Sequence, residues 1–190
     1  TIFGHGVPFD FPRGPDTGPG LTPTGCRLVR RCNELGVLLD LSHLNENGFW
    51  DVARLSSAPL VATHSSAWAL SPTPRNLTDE QIDEVGRSGG VVGINYAAPF
   101  LRAFEPNGQE AHTPLTAIVQ HARYVTDRIG IDHVALGSDF DGATMPYDLR
   151  DVTDLPRLLE AFRDAGFDEK EIERVAYGNW LRVLEKIWRD

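Results

Sequence analysis

Two short apolar runs, Val37–Leu41 and Pro59–Thr63, each end at a histidine, His43 and His64. The stretch between them, Asn45–Leu55, has the pattern of one short helix. Strand, helix and strand in this order form a βαβ unit, whose strands pair in parallel. Parallel strands are buried on both faces, so they read as continuous apolar runs and not as alternating ones. Both histidines then leave the sheet at its C-terminal edge, where α/β enzymes collect their chemistry. One histidine after a strand is a weak signal. Two at equivalent ends of consecutive strands can converge, and convergence is what a metal site requires.

The same alternation continues. Thr22 is the expected N-cap of a helix that starts at Pro23 and stops at Gly36. Thr78 and Gln81 have capping-box spacing and open a helix that runs to about Arg87. Val91–Asn95 and His133–Gly137 are the third and fourth clear strands. Thr113 and Pro114 introduce a helix over Leu115–Ile129. Helices over Thr153–Ala165, Asp168 to about Val175 and Asn179–Trp188 close the chain. The last has Trp180, Val183, Leu184, Ile187 and Trp188 as its apolar face. Thr1–Phe3 reads as the tail of a further strand, and the Gly- and Pro-rich Gly4–Gly20 as a long loop. Regular helix–strand alternation predicts a single α/β domain over 1–190, with a parallel sheet covered by helices. A complete (β/α)8 barrel needs eight strands and typically about 250 residues, so four clear strands fit only part of one. An open doubly wound sheet is the alternative, but no GxGxxG follows a strand.

The formal charge of −9 argues against a nucleic-acid surface, which needs a basic patch. No apolar run approaches the length of a membrane span. Cys26 and Cys32 lie six apart on one helix and so on different faces. They are expected as free thiols, and a reducing, cytoplasmic location is the mild inference.

The motifs DLSH at Asp40–His43, THSS at Thr63–Ser66, RN at Arg75-Asn76 and GSDFDG at Gly137–Gly142 stand in this order. Their sequence and separations resemble the membrane (renal-type) dipeptidases, peptidase family M19, from about Gly20 to the C-terminus. The resemblance implies a (β/α)8 TIM-type barrel carrying two zinc ions that hydrolyses dipeptides, with this chain as its C-terminal part and the four clear strands as its last four. It further implies that His43 and His64 ligate zinc and that Arg75 binds the substrate carboxylate. Asp139 would contact the substrate amine and act as the catalytic acid–base at the leaving nitrogen. The family's other zinc ligands, an HxD pair and a bridging Glu, are expected upstream of Thr1. His5, in the HxxxxD of His5–Asp10, does not match HxD. A family tyrosine corresponds to Phe100.

From the residues themselves, neutral imidazoles suit Zn²⁺, and a zinc pair lowers the pKa of water toward neutrality. A carboxylate beside it can carry a proton to a leaving amine. Of Asp139 and Asp141, one is expected to face the site and the other to cap the turn at Gly142. Arg75 offers a planar fork for a carboxylate. Asn95, at the end of the third strand, is a candidate to line the substrate pocket. Asp40 is expected in strand packing or behind the ligands. Ser42, Ser65 and Ser66 are expected to hydrogen-bond within loops, since no nucleophile elbow is present. His112, His121 and His133 have no partner pattern and are expected at the surface or in structural roles. The expected function is a zinc-dependent dipeptidase acting on a dipeptide or related small substrate, with a homodimer left open. The alternatives are a non-catalytic or truncated barrel fragment and another amidohydrolase-like metal hydrolase.

Overall fold

The structure is a computed structural model that describes residues 18–102 and 112–188. The expected strand tail at Thr1–Phe3, His5 and most of the first loop lie outside the described residues.

Local signals set the first helices. In α1 (Pro23–Leu35), the Thr22 hydroxyl accepts from the Gly25 N–H. Gly36 ends the helix in the left-handed region at φ 67°, its N–H returning to Cys32 O. Helix α2 (Glu46–Leu55) is capped by Asn45, and α3 (Asp79–Arg87) by the Thr78–Gln81 box. Three strands follow one another with helices between them: β1 (Val61–Ala62), β2 (Val91–Asn95) and β3 (Val134–Ser138). They form one sheet in the order β1-β2-β3, parallel throughout. Short α4 (Ala98–Leu101) and long α5 (Thr116–Ile129) connect β2 to β3. After β3 come α6 (Leu155–Asp164), α7 (Glu169–Glu173) and α8 (Asn179–Ile187). One π turn, Arg174–Gly178, joins the last two into a continuous helical run.

The run Val37–Leu41 does not form a strand. It meets the sheet at a single bridge, Asp40 to Val61, with the Leu41 N–H donating to Val61 O at 2.8 Å. Val37 is 48% exposed, so the expected burial on both faces fails at this edge. A strand needs a ladder, and among the described residues this run makes one bridge to the sheet and no second. Three smaller expectations are also corrected. Thr113 does not cap α5; Asp148 Oδ1 accepts the Leu115 N–H instead, at 2.8 Å. His133 belongs to a 3-10 turn before β3. Trp188 lies beyond the end of α8, is extended, and is 61% exposed.

Paired residues of neighbouring strands share a face. Ala62, Val92, Ile94 and Val134 enter the main core with Ile82 and Val85 of α3 and Ile118 and Val125 of α5. Val61, Val91 and Ala135 face the other way, onto Val183 and Ile187 of α8. Helix α8 is tied to the strands through its polar atoms. Asn179 Nδ2 donates to Val134 O, Trp180 Nε1 to Leu136 O, and Arg182 to the carbonyls of Gly89, Gly90 and Asp132. Gly89, Gly90 and Asp132 precede β2 and β3, so Arg182 secures the N-terminal edge and leaves the C-terminal edge free. At that free edge the backbones close up. A Cβ on Gly93 would stand 2.1 Å from Thr63 O, and one on Gly137 2.6 Å from the Gly93 carbonyl carbon. Only glycine permits this approach, which brings the ends of all three strands together.

His121 locks the loop after β1. It is buried on α5, its Nδ1 accepts from the Ala67 N–H at 3.0 Å, and its Nε2 pairs with Leu101 O at 3.1 Å. Its expected structural role is met in the interior and not at the surface. Burial lowers its pKa to about 4. Between that value and the unfolded value near 6.5 the unfolded chain binds the extra proton, so this contribution is full above 6.5 and falls as pH falls toward 4. The loss amounts to about 3 kcal/mol for a shift of this size. Urea unfolding of wild type and His121→Ala at pH 7.5 and 4.5 checks it: the variant is less stable at pH 7.5 and loses less on acidification. An equal loss in both proteins would contradict the assignment.

Candidate active site

The C-terminal edge of the sheet gathers His43, His64, Arg75, Asn95 and Asp139. His64 follows β1, Asn95 ends β2, and Asp139 follows β3. His43 follows the Asp40 bridge, and Arg75 comes from the loop between β1 and α3. The two imidazoles meet head on, Nε2 to Nε2 at 2.8 Å.

Their protons are assigned by their other partners. Thr63 Oγ1 donates its single proton to Asp40 Oδ2 at 2.6 Å. At its 2.6 Å contact with His64 Nδ1 the hydroxyl therefore accepts, and Nδ1 carries the hydrogen. His64 Nε2 is left with a lone pair. Arginine is a donor only, so its Nη2, 3.2 Å from His43 Nε2, requires a lone pair there as well. With hydrogen on neither Nε2, both atoms can offer a lone pair to one cation that parts the two rings. Both rings are also held neutral. Burial, then the Arg75 charge and then His64 push His43 down to about 4; burial followed by Arg75 lowers His64. A neutral imidazole with its lone pair aimed at a shared point is the ligand form for zinc. Among the described residues no group of three or more His, Cys, Asp or Glu forms a metal cluster by itself. The histidine pair fits one side of a metal site.

Asp40 organises this corner. Its Oδ1 accepts from the N–H groups of Ser42 and Thr63, both at 2.9 Å, joining the segment before His43 to the one before His64. The Ser42 hydroxyl accepts from His64 N–H and contacts Ser65 Oγ at 3.2 Å. Ser42 and Ser65 therefore hydrogen-bond within the loops, as their surroundings in the sequence suggested. Thr63 was not singled out by sequence reasoning. Its position directly before His64 was the available signal.

Arg75 is 6% exposed. Its guanidinium stands 5.1 Å from the Phe100 ring centroid and also donates to His64 O. Burial, partly offset by Asp139 and Asp40, lowers its pKa to about 10, so it stays charged at neutral pH. Neighbouring Asn76 holds the loop. Its Nδ2 donates to Ser71 O and Phe100 O, and its Oδ1 accepts from Ser66 N–H. Across the site, Asn95 Nδ2 donates to Asp139 Oδ2 at 3.0 Å and His64 O at 3.3 Å, while Oδ1 accepts from Ala97 N–H. The Asn95 amide is thus occupied by protein groups. Strand β3 stops at Ser138, and the turn at Gly142 is closed by the Asp139 carbonyl, which accepts the Gly142 N–H. Because the strand ends there, Asp139 and Asp141 are placed by the turn and not by strand alternation.

His43, Ser138, Asp139 and Asp141 have φ between 64° and 99°, and they are the non-glycine residues with positive φ among those described. Such conformations cost roughly 1–3 kcal/mol each and collect at functional sites. His112 is exposed, and His133 Nδ1 donates to Gly90 O at the opposite edge. Cys26 and Cys32 are free thiols, half-buried and buried. No helix among the described residues is long and apolar enough to cross a membrane.

Comparison with known proteins gives the arrangement its relatives. The family model for membrane dipeptidase, peptidase family M19, matches residues 9–189. An uncharacterized Klebsiella pneumoniae protein encoded in the pqqA 5′ region is 51% identical over 98% of this chain and 68% of its own length. The dipeptidase tcpJ of Claviceps purpurea is 36% identical over 88% of this chain and 39% of its own. A crystal structure of a Rhodobacter sphaeroides metallopeptidase carries a phosphinate mimic of the dipeptide L-Ala-D-Ala. It superposes with a TM-score of 0.90 at 53% identity, covering 98% of this chain and 53% of that one. The chain thus spans about half the length of the solved relative.

The lowered imidazole pKa values give a direct check. In metal-free protein, NMR titration should place His43 near 4, and Arg75→Ala should raise it only part of the way to 6.5, because burial outweighs the arginine. A wild-type midpoint at 6.5 would contradict the described environment.

Proposed function

The chain belongs to the membrane dipeptidase family, peptidase family M19, and on that premise we propose that the whole protein is a zinc-dependent dipeptidase. Membership supports a metal-dependent peptidase whose parallel strands and covering helices are the C-terminal part of an α/β barrel. The observation that carries the finer reading is the approach of His43 Nε2 and His64 Nε2 to 2.8 Å, flanked by a buried arginine and a carboxylate. His43 and His64 would hold one zinc from this side, and a second zinc is expected with ligands from elsewhere in the protein. Zinc at such a site polarises a scissile carbonyl and makes water a competent nucleophile at neutral pH.

The chain's own residues do the rest. Arg75 takes the free C-terminal carboxylate of a dipeptide through its planar fork, which makes the enzyme an exopeptidase. Phe100 beneath the guanidinium keeps the fork in place. Asp139 would hold the substrate amine, take a proton from the attacking water and pass it to the leaving nitrogen. Asn95 was expected to touch substrate; with its amide already committed, we assign it to orienting Asp139. The dipeptide mimic bound to the Rhodobacter metallopeptidase supports a dipeptide as substrate here. The free thiols support a reducing, cytoplasmic compartment.

Steady-state kinetics of the whole protein on a panel of dipeptides tests the reading. Arg75→Ala should mainly raise KM, and C-terminal amides should be poor substrates of wild type. Asp139→Asn should lower kcat by roughly 10²–10⁴-fold, the range for a lost general acid–base. Equal cleavage of amides and free dipeptides, or a near-normal kcat in Asp139→Asn, would overturn the mechanism.

A further inference from the structure

We propose that Thr63 is a positioning residue that, backed by the Asp40 carboxylate, sets the tautomer of His64 and so decides whether its Nε2 can bind a metal. The proposal rests on the zinc reading of the histidine pair, but its first half is a property of the metal-free protein.

Histidine ligands commonly donate their second ring N–H directly to a carboxylate or carbonyl, which fixes ring orientation and raises ligand basicity. Here the nearest carboxylate is too far for that: His64 Nδ1 and Asp40 Oδ2 are 3.8 Å apart. The Thr63 hydroxyl stands between them, 2.6 Å from each. A hydroxyl has one hydrogen, and a carboxylate can only accept. Proton direction along the row is therefore fixed, from His64 Nδ1–H to Thr63 Oγ1–H to Asp40. Asp40 is itself held by two backbone N–H groups, from Ser42 and Thr63. Those two bonds align the carboxylate with the hydroxyl that must reach it.

The alternative arrangement is equally concrete. The histidine side chain in water favours hydrogen on Nε2. With the Thr63 hydroxyl gone, His64 in that tautomer would donate Nε2–H to His43 Nε2, already 2.8 Å away. The pair would close on itself as a hydrogen bond, and one metal-binding lone pair would disappear.

The test uses the whole protein, stripped of metal and labelled with ¹⁵N-histidine, at pH 7.5. Long-range ¹H–¹⁵N correlation spectra report which ring nitrogen carries hydrogen. Wild type should show His64 protonated on Nδ1. Thr63→Val should move the hydrogen to Nε2, and Thr63→Ser should restore it. Asp40→Asn is the second variant, needed in case Thr63→Val does not fold. Its amide would donate to Thr63 Oγ1, reverse the row and also favour Nε2–H. Titration with Zn²⁺ alone should then show about 10–100-fold weaker binding in Thr63→Val, the usual cost of a lost supporting partner, with Thr63→Ser close to wild type. Hydrogen on Nε2 in wild type, or Nδ1–H and wild-type zinc affinity retained in Thr63→Val and Asp40→Asn, would overturn the proposal. If wild type binds no Zn²⁺ at all, the zinc reading fails, and the tautomer spectra alone decide the role of Thr63.

Discussion

One carboxylate does most to join the two halves of the histidine corner. Asp40 accepts from Ser42 N–H, Thr63 N–H and the Thr63 hydroxyl. It thereby links the segment that carries His43 to the strand that carries His64. Residues 40 and 61 form only one bridge, so the sheet ladder contributes little to this link. Without the carboxylate, the first histidine would hang on a segment with one backbone attachment to the sheet. The Nε2–Nε2 approach of His43 and His64 depends on that registration.

The opposite edge of the sheet is built for rigidity and the site edge for close approach. Arg182, Asn179 and Trp180 saturate carbonyl groups along β3 and at the starts of β2 and β3. At the other end, Gly93 and Gly137 let three backbones converge so that Asn95 reaches both His64 O and Asp139. The left-handed conformations at His43, Ser138, Asp139 and Asp141 belong to this edge. Each is unfavourable in isolation and is held by the packed strands beneath it. The well-tied end thus supports the strained end, where the chemistry is proposed.

Much of this was legible in the residues. Thr22 with Pro23 and Gly36, and Thr78 with Gln81, mark helix ends through side-chain chemistry that depends only on near neighbours. The apolar run at Val91–Asn95 is a strand because both its faces are covered. The run at Val37–Leu41 is also largely apolar but makes only one bridge to its neighbour, and pairing is a property that composition does not record. The gathering of His43, His64, Arg75 and Asp139 followed from motifs at strand ends. The turn at Ser138–Asp141 did not, because left-handed backbone at Asp and Ser is imposed by tertiary contacts. Thr63 was hidden for a similar reason: its hydroxyl has meaning only through a carboxylate 23 residues earlier. His121 was hidden because its two partners are distant in sequence, Ala67 in the loop after β1 and Leu101 at the end of α4.

The central claim is that the facing Nε2 atoms of His43 and His64 share a metal ion. Anomalous diffraction at the zinc edge from crystals of the whole protein grown with zinc measures this directly. The account predicts a zinc peak about 2.0–2.1 Å from both Nε2 atoms, the usual zinc–imidazole distance. Zinc bound elsewhere, with the two imidazoles still paired to each other, would contradict it.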